Sequence, residues 1–81
     1  MDMRVRIVWD LPVDEGVFYE LGKAIHTIAS ASRMDLELAD SEGMIFRIEP
    51  VKLFDIDGEA LRETIDELNR SFCKVRIHLE D

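Results

Sequence analysis

The chain predicts an α+β fold: a two-layer sandwich of a mostly antiparallel four-stranded sheet with two helices on one face, in the order βαββαβ. Two observations lead there. Four stretches alternate apolar and polar residues with the period of a strand, and two longer ones carry apolar residues at helical spacing. They alternate along the chain as strand, helix, strand, strand, helix, strand, which is most simply packed as two layers.

Met3 to Trp9 reads as the first strand, with Val5, Ile7 and Trp9 on one face and Arg4 and Arg6 on the other. Asp10, Leu11 and Pro12 end it. Asp14 then suits a helix N-cap, and Glu15 suits the first turn, where the helix dipole favours an anion. Val17, Leu21, Ala24, Ile25 and Ile28 give the stripe of a helix from about Glu15 to Ala31. Gly22 either weakens that helix or admits a close neighbour.

Leu36 and Leu38 alternate with Asp35 and Glu37 and predict a half-buried strand. Asp40-Ser41-Glu42-Gly43 predicts a hairpin turn with Gly43 at positive φ. Met44, Phe46 and Ile48 share the inner face of the third strand, with Ile45 an exception on the outside. Beyond Pro50 the inward set becomes Val51 and Leu53, so the third strand is expected to kink or break at Pro50. The second helix is expected to begin near Gly58, with Leu61, Ile65 and Leu68 as its apolar stripe. The last strand is expected over Phe72 to Leu79, with Cys73, Val75, Ile77 and Leu79 inward and Phe72 covering the helix end.

This is the split-βαβ, or ferredoxin-like, arrangement, and right-handed crossovers put the first and third strands side by side in its centre. In topology the pattern resembles ACT-type regulatory modules and other small ferredoxin-like domains. That resemblance implies a small-molecule-sensing alternative and carries no motif to particular residues.

Eighty-one residues make one small domain. A core of that size is helped by self-association, which favours a homodimer or a protein partner. Eighteen acidic against ten basic residues give a formal charge of -8. That opposes nucleic acid and anionic membranes and favours cations or basic protein surfaces. No apolar run reaches the ~20 residues of a membrane span. The N-terminus lacks a signal-like apolar region and the single cysteine permits no internal disulfide, so the expected location is cytoplasmic.

The outer sheet face carries Arg4, Arg6, Asp35, Glu37, Arg47, Glu49, Lys52, Lys74, Arg76, His78 and Glu80. Interleaved charges without stacking aromatics suit cross-strand ion pairs better than RNA. No phosphate loop, CxxC pair, HExxH helix or nucleophile elbow occurs. His26, His78 and Cys73 have no partners at ligand or catalytic spacing.

The constellation that points to chemistry is a pair of acidic strand-to-helix turns. Asp10, Asp14 and Glu15 form the first, and Asp55, Asp57 and Glu59 the second. The two turns are expected to emerge at the same end of the central strands. Their carboxylates would then repel unless a cation joined them, weakly bound Ca²⁺ first and Mg²⁺ second. The run Asp-Ile-Asp-Gly-Glu resembles part of an EF-hand loop in composition, but Gly58 comes two positions too early. A carboxylate acid–base pair in a hydrolase is the remaining alternative. The leading expectation is a non-enzymatic interaction or regulatory domain.

Overall fold

The computed structural model describes residues 3–51 and 58–80. The elements are β1 (Met3–Trp9), α1 (Glu15–Ala31), β2 (Ser32–Ala39), β3 (Gly43–Pro50), α2 (Glu59–Ser71) and β4 (Val75–Glu80). The sheet order is β2-β3-β1-β4, with every neighbouring pair antiparallel. This is the ferredoxin-like topology, both helices lying on one face. Lys52, Leu53, Asp55 and Asp57 lie outside the described residues.

β1 sits in the centre because its inward residues are apolar and both of its edges are used. Met3, Val5 and Ile7 are buried under the helices. They meet Phe46 and Ile48 from β3 and Val75 and Ile77 from β4. Val17, Ala24 and Ile28 close the core from α1, and Leu61, Ile65 and Leu68 from α2. Each fully buried aliphatic side chain contributes about 1.5–3 kcal/mol of transfer free energy. Phe72 is buried at the C-cap of α2, covering the helix end as its parity required.

Several details depart from the sequence pattern. β3 runs unbroken to Pro50 and ends there. The irregularity in the sheet lies in β2 instead, where Leu36 faces Phe46 but Leu38 faces Ile45. The extra residue is Glu37, a β-bulge. It turns Leu36 to the helix side and Leu38 to the open side, so the two leucines do not share a buried face. Both are exposed, at 53% and 56%. β4 begins at Val75, leaving Cys73 in the preceding turn, where it is exposed rather than in the core.

Two glycines hold their positions for different reasons. Gly58 is the N-cap of α2, at φ 70°, a conformation that favours a residue without Cβ. Gly43 does not take positive φ. A Cβ there would sit 3.0 Å from the carbonyl oxygen of Ile7, so close approach of β1 selects it. The hairpin before it is held by the Asp40 carboxylate, which accepts from the amides of Glu42 and Gly43 at 2.8 and 3.0 Å. Nothing crowds Gly22.

Candidate functional site

The antiparallel register of β1 and β3 decides where the acidic turns go. Val8 faces Gly43 and Met3 faces Ile48, so the end of β1 lies beside the start of β3. The turn holding Asp10, Asp14 and Glu15 therefore leaves one end of the sheet, and the chain leaves β3 for α2 at the other. Gly58, directly before Glu59, packs against the side chain of Met3, at the far end of β1. A strand of this length separates the two ends by roughly 20 Å. The expected approach of Glu59 to Asp10, Asp14 and Glu15 is corrected: adjacent antiparallel strands send the chain on at opposite ends. Asp55 and Asp57 lie outside the described residues. Among the described residues no group of three or more His, Cys, Asp or Glu side chains is placed to hold a metal. Titration with Ca²⁺, followed by amide shifts, is expected to show no concerted movement of residues 10–16 with 58–60.

The first acidic turn is built into the fold. Asp14 caps α1, accepting from the Val17 amide at 3.0 Å, and its other oxygen takes the Lys74 ammonium. That ammonium, with the Val17 amide, holds the Asp14 carboxyl below its ordinary pKa, and Asp14 raises Lys74 in return. Asp10 and Glu15 are exposed.

Glu20, one helical turn on, has a larger structural task. Its carboxylate accepts from the backbone amides of Cys73, Lys74 and Val75 at 3.1, 2.9 and 3.0 Å. Partial burial pushes its pKa up, but the three donors outweigh that and the net shift is downward. For both carboxylates the folded pKa lies below the unfolded one. Their stabilisation is present above the ordinary carboxylate range and is lost as pH falls through the lowered values. Lys74 has the opposite sign: its contribution is present below the ordinary lysine value and is lost as pH rises through the raised one. Denaturant unfolding across a pH series is expected to show an acid-side loss of stability that is steeper in the native protein than in Glu20→Gln.

The two outer edges of the sheet differ in a way that sequence periodicity does not reveal. The Val51 amide donates to the Ala31 carbonyl at 3.3 Å, extending the β2–β3 ladder. Hydrogen-bonded pairs alternate, so Arg33 with Glu49 and Asp35 with Arg47 bond inward. Ser32, Met34 and Leu36 consequently turn their backbone groups to the outer edge. No strand or side chain among the described residues reaches those of Met34 or Leu36. The same alternation, set by the Trp9 amide on the Glu42 carbonyl, turns Val75, Ile77 and Leu79 outward on β4. There the outward groups of Val75 and Ile77 are taken by side chains. Glu20 takes the Val75 amide. The Asn69 side-chain amide donates to the Ile77 carbonyl at 2.8 Å and accepts from its amide at 2.9 Å, as a neighbouring strand would.

Beside the open edge, α1 presents an apolar flank. Gly16 lies against Lys74 and Glu20 bonds to the start of β4, so that side of the helix faces β4. Phe18, Leu21 and Ile25 lie on the opposite side, toward β2. Phe18 is 66% exposed. Leu36, on the helix-facing surface of β2, is exposed beside this flank.

The open face of the sheet carries Arg4 on Glu37 at 2.8 Å and Arg6 on Glu80 at 3.4 Å. A small hollow of about 210 Å³ lies there against Val8, Leu38 and Ile45. Another of about 280 Å³ is bounded by Trp9, Leu11, Lys74 and Arg76.

Periodicity missed Glu20 and Asn69, though each left a trace. Glu20 is a carboxylate between Val17 and Ala24 in the core-facing stripe of α1. Asn69 is a polar residue four beyond Ile65 on the buried side of α2. No protein-family model matches this chain, and no curated protein matches it in sequence.

Proposed function

We propose that this domain is a non-enzymatic association module that works through the outer edge of β2. The difference between the two sheet edges carries the reading. On β4 two side chains are used to occupy the outward backbone groups. On β2 the equivalent groups of Met34 and Leu36 have no partner among the described residues, beside exposed Leu36, Leu38 and Phe18. Proteins commonly blunt edge strands with charge, proline or a covering element, because an open edge is a template for another strand. An edge left open next to apolar side chains suits addition of a further strand, with main-chain hydrogen bonds for affinity and alternate side chains for specificity. The bulge at Glu37 limits the usable edge to the first part of β2.

Replacing Leu36 and Leu38 together by lysine tests this. Both side chains are exposed, so the folding stability is expected to change by no more than ~0.5 kcal/mol. Proteins that co-purify with the native chain from its source cells, further copies of itself included, are expected to be lost. Retention of the same proteins by the folded double variant would place the working surface elsewhere.

A further inference from the structure

We infer that the strand added to the β2 edge is β2 of a second copy, paired antiparallel about a two-fold axis through Met34. This rests on the reading of β2 as the working edge. In antiparallel pairing outward-directed residues must face outward-directed residues. The registers open to β2 are therefore those in which one residue faces its own counterpart.

Charge chooses among them. Centring on Arg33 sets two guanidinium groups together, and centring on Asp35 sets two carboxylates together. Centring on Leu36 places Asp35 opposite the partner's Glu37, twice. Centring on Met34 places Arg33 opposite the partner's Asp35, twice, with Ser32 opposite the partner's Leu36. Directly opposite like charges destabilise a strand pair and opposite charges stabilise it. The Met34 register is the one of these four without a like-charge contact. It also brings an outward-directed backbone onto the axis, so Met34 exchanges both hydrogen bonds with its counterpart.

The helix layer fits the same axis. A two-fold normal to the sheet keeps both helix pairs on one side and makes a single eight-stranded sheet. The α1 flanks with Phe18, Leu21 and Ile25 then face each other across the seam, above Leu36. Phe18 and Leu36, left exposed by one copy, become the lining between two, with partly buried Leu21 and Ile25 behind them, as in an isologous interface.

Charge reversal tests the register with the full chain. Light scattering or sedimentation is expected to give a dimer for the native protein at tens of micromolar. Arg33→Glu alone, or Asp35→Arg alone, creates two like-charge contacts and is expected to weaken the dimer by about tenfold or more, leaving monomer at that concentration. An equal mixture of the two variants restores both opposite-charge contacts and is expected to form a one-to-one heterodimer. That recovery shows at once that each variant is folded. A native protein that stays monomeric at hundreds of micromolar overturns the proposal, as does a dimer indifferent to both reversals. A monomer that still loses its co-purifying proteins on Leu36→Lys with Leu38→Lys overturns self-pairing and leaves β2 as the working edge for another chain.

Discussion

Replacing Glu20 by alanine is expected to lower the melting temperature by roughly 10–15 °C, from the loss of about 2 kcal/mol at ~4–8 °C per kcal/mol for a domain of this size. Three backbone amides, of Cys73, Lys74 and Val75, lose one shared acceptor. Water can reach the first two, which lie in an exposed turn, but Val75 is buried. The turn also loses one of its ties to α1 and keeps the ion pair of Lys74 with Asp14. Glu20→Gln keeps one acceptor oxygen, turns an amide donor toward N–H groups, and is expected to fall between. Thermal unfolding followed by circular dichroism ranks the three proteins. A Glu20→Ala protein that melts with the native one would mean that the clamp contributes nothing net.

Ile7→Ala should cost more, about 3–4 kcal/mol. Ile7 is fully buried at the centre of the sheet, paired with Met44 on one side and Ile77 on the other. Truncation leaves a cavity that β1 cannot close by shifting, because both of its edges are bonded. Against a total stability of ~4–12 kcal/mol for a chain of this length, that is a large fraction. Phe18→Ser removes a larger side chain, yet is expected to change the monomer's stability by no more than ~0.5 kcal/mol, because Phe18 is largely exposed. Urea midpoints of the two variants give the contrast. Equal losses would show that Phe18 belongs to the folded monomer after all.

The elements were legible because their signals are local. β1 and α1 begin and end where alternation, Pro12, Asp14 and helical spacing put them. Strand order followed from chirality, since a right-handed crossover from β1 to β2 leaves a gap that β3 fills. The expected approach of Glu59 to the first acidic turn failed at the point where direction mattered. Adjacent central strands that run in opposite senses send their following turns to opposite ends, and composition alone carries no sense of direction. The bulge in β2 was hidden because Leu36 and Leu38 alternate with charged residues as a regular strand would. The roles of Glu20 and Asn69 depend on partners 53 and eight residues away. What distinguishes one sheet edge from the other is thus a tertiary fact, visible only once the helices are docked.

The Asn69 clamp on Ile77 also bears on how many copies can join. A sheet with two bare edges grows without limit, each added molecule offering the next a fresh surface. Here Glu20 and Asn69 occupy one margin at Val75 and Ile77, and in the proposed pairing the other margin is matched to itself. Joining through the second would consume it in both molecules at once and leave the two β4 margins outward. On the proposed pairing the assembly stops at two, with the Glu20 and Asn69 side chains standing between that finite particle and a fibre.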